Sequence, residues 1–414
     1  MSRRCVITGM GIVSPVGIGK EAFWDSLIHG RSGIAPIEYF DTSDMPVRHA
    51  GIVKNFNPLD YMEEMRVMMY GRGIQYAVAA VKMAVRDAKI KPKQYHKSRL
   101  SLIGGTSAPS TDSVECHLRT AVEQGPWNAP PYSLVSIAVH TAIAEASQSL
   151  DMFDSSFTIS TTCASGCNAI GAGLREIRDG RKDIVVAGSS EHNLSKLVFA
   201  SYILLGLIVP DDGVPADKMM RPFDKTRNGG LVAEGAAFVV LEELEHARAR
   251  GAHIYGELAG HSYKEKYIGE KTTKQTMMNA VTGVLMDARM QPRDIDYICA
   301  NGNSTVVQDK AETAVLKEVL GDHAYRIPVS AIKSMIGIPN SAVGPMQLIA
   351  ACLSFEDDII PPTINYEMPD PDCDLDYVPN VARVNRVNAA LINNYALGGA
   401  CAALIAKRFV QNGR

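Results

Sequence analysis

Ser160-Thr161-Thr162-Cys163-Ala164-Ser165-Gly166-Cys167-Asn168-Ala169-Ile170-Gly171-Ala172-Gly173 reads as a strand end turning into a helix. The run from Phe157 to Ile159 leads into it, and the small residues open a helix that continues through Leu174, Ile177 and Arg178. A thiol at such a junction sits at the positive end of a helix dipole. That position favours the thiolate and leaves backbone N–H groups free to hold an oxyanion. The same residues also fit a small buried cysteine at a tight turn, and the stretch alone does not separate the two readings.

Outward from this stretch the chain repeats itself. The segment 79–90 is echoed by 280–290, with Asp-Ala pairs at Asp87 and Asp287, each followed by a proline-containing turn at Pro92 and Pro292. Ile159-Ser160-Thr161-Thr162-Cys163 is echoed by Val329-Ser330-Ala331-Ile332-Lys333, which makes Lys333 the counterpart of Cys163. In both halves an amphipathic helix precedes a turn and an apolar strand. The expectation is an α/β protein in two halves, 1–250 and 251–414. They join near Gly251-Ala252-His253, after a helix over 244–250.

Further motifs extend the pattern. Arg4-Cys5-Val6-Ile7-Thr8-Gly9-Met10-Gly11 opens the chain, and Arg221-Pro222-Phe223-Asp224-Lys225 with Glu234-Gly235-Ala236-Ala237 marks its middle. Lys333-Ser334-Met335 and Asn393-Asn394-Tyr395-Ala396-Leu397-Gly398-Gly399 follow. In order and spacing these resemble the motifs of the β-ketoacyl-acyl-carrier-protein synthases (ketosynthases) of the thiolase superfamily. The resemblance implies a thiolase-like fold, with duplicated α/β halves in a five-layered αβαβα arrangement.

In that family the cysteine carries the acyl chain, and two histidines stabilise the enolate formed when malonyl-carrier protein loses carbon dioxide. The first histidine opens a His-Gly-Thr motif; here the matching stretch places Asn301 there. The second follows the lysine motif in a Gly-His pair; here Gly337 is followed by Ile338. Asn301 keeps a neutral donor and Ile338 has none. Removing one oxyanion donor costs about 2.7–4 kcal/mol of transition-state stabilisation, so losing both implies suppressed condensation. The resemblance further implies a supporting ion pair of Glu312 with Lys333 beneath the site, here with a structural role. It assigns the second oxyanion N–H, after that of Cys163, to Leu397, which stands where the family has a gating Phe. It also brings the segment from Pro109 to Glu115, with Thr111 and Ser113, towards a dimer axis near the acyl tunnel.

Composition excludes several other classes. The net charge is −3 and 46% of residues are hydrophobic, an ordinary globular composition. No apolar run approaches a membrane span, no signal peptide is visible, and the dispersed Lys and Arg do not suggest nucleic-acid binding. The eight cysteines (Cys5, Cys116, Cys163, Cys167, Cys299, Cys352, Cys373, Cys401) are too dispersed for a disulfide framework and suit a reducing cytoplasm. Cys163 and Cys167 lack a second pair for a metal, and no cofactor is expected.

His192, at the end of an apolar run, is the histidine best placed to replace the missing pair, although a loop or interface role is favoured. His140 reads as packing on an apolar helix face, while His246, His253 and His261 read as exposed near the join. Where the family carries basic residues for docking the acidic acyl-carrier protein, this chain has Glu63-Glu64-Met65-Arg66-Val67-Met68-Met69. An acidic carrier is not steered there. The whole resembles a chain-length factor, the ketosynthase-β subunit of type II polyketide systems. The resemblance implies a heterodimer with a ketosynthase-α subunit, with the carrier docking mainly on that partner. Two alternatives stay open: an acyltransferase that loads Cys163, and a residually condensing enzyme.

Overall fold

A computed structural model describes residues 3–91, 95–208, 210, 213–266 and 269–410. Its frame is an eleven-stranded sheet whose two arms repeat one another. The first strand, Cys5–Ser14, meets Gly256–Glu265 through the antiparallel pairs Val6 with Glu257 and Ile7 with Gly256. Outward from Cys5–Ser14 come Gly235–Glu243 and Ile184–Glu191, both antiparallel to their inner neighbour, then Leu100–Gly105 and Ser155–Ile159, both parallel. Outward from Gly256–Glu265 come Ala400–Lys407 and Ala389–Tyr395, antiparallel, then Tyr297–Cys299 and Val329–Ser330, parallel.

The echo in the sequence therefore has a physical counterpart. Helix Arg72–Asp87 lies between the first strand and Leu100–Gly105, and helix Gly269–Ala288 lies in the same place in the other arm. Asp87 Oδ2 accepts the Met10 N–H at 2.9 Å, and Asp287 Oδ2 accepts the His261 N–H at 2.9 Å. Each repeated aspartate thus takes an amide of its own arm's first strand. Pro292 opens the turn Pro292–Asp294, whereas Pro92 lies outside the described residues.

Helices Ser165–Arg178 and Val343–Asp357 form the middle layer and touch strands of both arms. Residues Val343 to Phe355 are all buried, as a helix enclosed on every side requires. Two glycines allow the close approach. A Cβ on Gly166 would collide with the Ser341 carbonyl and Pro345, and one on Gly344 with the Cys167 sulfur. Helices Arg72–Asp87 and Gly269–Ala288 cover the outer faces of their arms, which completes the five layers. No helix among the described residues is long and apolar enough to cross a membrane.

Candidate active site

Cys163 and Lys333 follow the two outermost strands, and the paired middle helices bring both to one cavity. The turn before Cys163 is sharp: Thr162 adopts φ +52°, a left-handed conformation that a β-branched residue enters only under constraint. Ser165 supplies that constraint, its Oγ accepting the Thr161 N–H at 2.8 Å and donating to the Thr162 carbonyl at 2.6 Å. Asn168 Nδ2 adds a bond to Thr161 Oγ1 at 2.8 Å. The result is a half-buried thiol at the mouth of helix Ser165–Arg178.

Burial, not the helix terminus, dominates this thiol. Desolvation raises the Cys163 pKa above its ordinary value; nearby Lys333 and the N–H groups of Leu397 and Cys163 itself offset only part. Burial thus opposes the lowering of the thiol pKa expected from the helix terminus. Burial also raises Cys373 to about 11 and Cys167, Cys299 and Cys401 to about 12. Cys116 differs in being exposed.

Asn301, in the first histidine's place, is buried and carries the local polar network. Its Oδ1 accepts from Lys333 Nζ at 2.7 Å and from the Tyr395 N–H at 3.0 Å, while its Nδ2 has no partner. Glu312 sits on the far side and accepts the Asn301 N–H at 2.8 Å, the Gly302 N–H at 2.9 Å and Asn393 Nδ2 at 3.0 Å. Lys333 and Glu312 share no hydrogen bond; Asn301 stands between them, its side-chain oxygen on Lys333 and its backbone N–H on Glu312, so the expected direct ion pair is replaced by a relay through one residue. Burial lowers the Lys333 pKa and raises that of Glu312.

Ile338, in the second histidine's place, lines the cavity with its apolar side chain. Its N–H donates to the Leu231 carbonyl at 2.8 Å, and Gly230 leaves room for its Cδ1. Leu397 is 49% exposed, so it flanks the mouth of the site rather than plugging it. Gly398 and Gly399 follow it at φ +87° and +86°, which turns the loop back and leaves the Leu397 N–H facing Cys163 Sγ. The cavity above the sulfur encloses about 60 Å³. Among the described residues, no histidine lines it.

Sequence reasoning missed Asn340. Its Oδ1 lies 3.8 Å from Cys163 Sγ. The available signal was an Asn directly after Pro339, a pair that favours a turn.

The other sequence candidates lie elsewhere. His192 is buried against Glu234, with Nδ1 2.6 Å from Oε2, and it does not line the Cys163 cavity. His140 is exposed and bonds Thr158 Oγ1 at 2.9 Å rather than packing. His246 and His261 are partly buried rather than exposed; only His253 of the three is exposed. Thr111 Oγ1 donates to the His192 carbonyl at 3.1 Å and borders a separate groove. Ser113 packs against Gly71 and Asp112. Neither lines the Cys163 cavity within this single chain. On helix Glu64–Met69, Met65 and Met68 are exposed and Met69 is half-buried, while Arg66 pairs with Glu145 at 3.0 Å.

Comparison with known proteins agrees with this geometry. Residues 2–247 match the model of the beta-ketoacyl synthase N-terminal domain, and residues 255–367 that of the C-terminal domain. The ketoacyl synthase alpha subunit of the tetracenomycin polyketide synthase of Streptomyces glaucescens is 37% identical, covering 98% of this chain and 97% of the relative. The solved ishigamide ketosynthase/chain length factor superposes with a TM-score of 0.92 at 33% identity, covering 99% of this chain and 100% of that one. A ketosynthase solved with its type II acyl-carrier protein gives 0.90 at 30% identity, covering 99% and 100%.

Proposed function

We propose that this chain, which belongs to the beta-ketoacyl synthase family, is a non-condensing subunit of the chain-length-factor kind, paired with an active ketosynthase and helping to shape its acyl tunnel. One observation carries the reading: among the described residues, the wall around Cys163 holds no imidazole. Loss of carbon dioxide from a malonyl thioester leaves an enolate whose oxygen needs preorganised donors. Ile338 offers none. Asn301 does not line the cavity and its oxygen is taken up by Lys333 and the Tyr395 N–H, so the first histidine's place keeps only the neutral Nδ2 donor.

A second chain suits the outer edge of the Cys163 arm. Strand Ser155–Ile159 pairs only with Leu100–Gly105 among the described residues. His140 bonds Thr158, which brings the segment ending at Val139 to that edge. Leu134, Ile137, Val139 and Phe157 are exposed there. An unpaired edge flanked by apolar side chains is a surface that proteins normally cover. The carrier docks mainly on the partner, because Glu63 and Glu64 are exposed here while Arg66 is held by Glu145.

Co-expression with a ketosynthase that keeps both histidines tests the reading. Native mass is expected to show a heterodimer, and the isolated chain is expected to release no carbon dioxide from malonyl-carrier protein above background. A self-paired chain releasing it at about 1 per second or faster would overturn the assignment.

The acyltransferase reading is favoured by one specific feature. A thiol with the N–H groups of Cys163 and Leu397 beside it suffices for transacylation, which forms no enolate. Intact mass after incubation with an acyl-carrier protein distinguishes a loading subunit from a purely structural one.

A further inference from the structure

Asn340 is a residue of the cavity that neither the internal repeat nor the family motifs account for. It adopts φ +41°, in the left-handed region that asparagine tolerates better than most residues. Its neighbour Ser341 bonds the buried Ser189 and Glu191, which fixes the turn Asn340–Ala342 from behind. The side chain is 2% exposed and lines the cavity. Its Oδ1 faces the Cys163 thiol at 3.8 Å, and its Nδ2 has no hydrogen-bond partner. Ile338, Val232, Ile208 and Val343 make the adjoining wall apolar, and the Tyr202 hydroxyl in the same cavity lies near the Asn340 amide without a hydrogen bond of normal geometry to Nδ2. A buried amide donor left unpaired is costly, and a ligand oxygen removes that cost.

We propose that Asn340 is a specificity-determining residue of this cavity: it selects short acyl groups that carry an acceptor oxygen near the thioester over saturated ones. The inference rests on the reading in which Cys163 accepts an acyl group. In that transfer the Cys163 Sγ–acyl bond forms as the donor's thioester C–S bond breaks, and the Cys163 proton ends on the departing thiol; nothing is oxidised or reduced. The thioester oxygen goes to the N–H groups of Cys163 and Leu397. That leaves Asn340 Nδ2, on the turn that follows Ile338, for the next oxygen along the chain. The small cavity of about 60 Å³ suits a short oxygenated head. A saturated head leaves Nδ2 unpaired, and a site built to hydrogen-bond a substrate discriminates against the analogue lacking the group.

The test compares acetoacetyl- and butanoyl-N-acetylcysteamine thioesters, with the rate of Cys163 acylation on the full chain read by intact mass and peptide mapping. The intrinsic difference in electrophilicity between the two reagents is common to all variants, so the informative quantity is how their rate ratio changes. Asn340→Leu removes the donor. Asn340→Asp keeps the shape and tolerates the left-handed backbone but only accepts, so it guards against misfolding of the leucine variant. Both are expected to lower the acetoacetyl-to-butanoyl ratio by about three- to tenfold, the worth of one neutral hydrogen bond. An unchanged ratio in both variants overturns the inference and leaves acyl loading intact. No acylation of Cys163 by either thioester in the unaltered chain overturns both.

Discussion

Lys333 Nζ donates to Asn301 Oδ1 across 2.7 Å, and this contact takes the place of a direct bond between Lys333 and Glu312. An amide in the histidine position thus ties Lys333 to the Tyr395 N–H. Asn301→Leu removes the acceptor from a buried ammonium and from the Tyr395 N–H together. The expected loss of stability is about 2–4 kcal/mol, read by urea unfolding. Lys333→Met should cost less, since Asn301 keeps the Tyr395 amide. The reverse ranking would show that Lys333 has a stronger partner than Asn301.

Restoring imidazoles tests whether the missing donors are what silences condensation. Asn301→His with Ile338→His returns an imidazole to each of the two histidine positions of the family. Carbon dioxide release from malonyl-carrier protein is expected to rise by about a hundredfold or more over the unaltered chain. Each single variant should give much less, because the two donors act together. A folded double variant with no gain would place the block elsewhere in the cavity.

Thiol reactivity should follow burial. Cys116 is exposed, whereas desolvation raises Cys163 above the usual thiol range. Limited alkylation at neutral pH is expected to label Cys116 before Cys163. The Cys163 rate should still be climbing above pH of about 8.5, where an ordinary thiol is already half ionised. Mass mapping across a pH series reads both. Preferential labelling of Cys163 at pH 7 would mean that Lys333 and the two backbone amides outweigh burial.

The Asp87–Asp287 and Cys163–Lys333 echoes were legible in the sequence because duplication preserves spacing and small-residue patterns. Those patterns set which strand and helix come next, and hence the layers. Cys163, Asn301 and Ile338 were legible as positions through the motifs that resemble those of the ketosynthases. What the sequence did not carry was the balance of energies at those positions. A helix terminus argues for a thiolate at Cys163, but the cavity walls that desolvate it come from segments as distant as Tyr202 and Tyr395. Asn340 was invisible because its contact with Cys163 depends on a left-handed turn after Pro339 and not on periodicity.

His261 gives the fold an acid-side weakness. Burial, then the charges of Arg175 and Arg178, lower its pKa to about 4, against the upward pull of Asp287. Its Nε2 lies 2.9 Å from Asn168 Oδ1, on the helix that follows Cys163. An unfolded histidine titrates at about 6.5, so between that pH and about 4 the unfolded chain binds a proton that the folded chain refuses. Stability contributed at this site is complete above that window and falls as pH drops through it, by at most about 1.4 kcal/mol per pH unit. His261→Asn is expected to flatten the slope of unfolding free energy between pH 5 and 7. An unaltered slope would assign the acid sensitivity to other groups.

The exposed apolar edge should be where the partner sits. Leu134 is 78% exposed and Ile137 59% exposed, so charging them removes little from the isolated chain. Leu134→Glu with Ile137→Glu should leave the thermal midpoint of the isolated chain nearly unchanged. In the heterodimer each side chain is expected to be covered, and burying one is worth about 1.5–3 kcal/mol. The double variant should therefore weaken pairing with a ketosynthase by about a hundredfold or more, as read by native mass and size exclusion over a dilution series. Arg66→Glu, on helix Glu64–Met69, is expected to leave pairing intact. If the doubly charged variant still pairs at the original affinity, strand Ser155–Ile159 is not the shared edge, and the exposed surface of Leu134 and Ile137 faces solvent or another protein in the working complex.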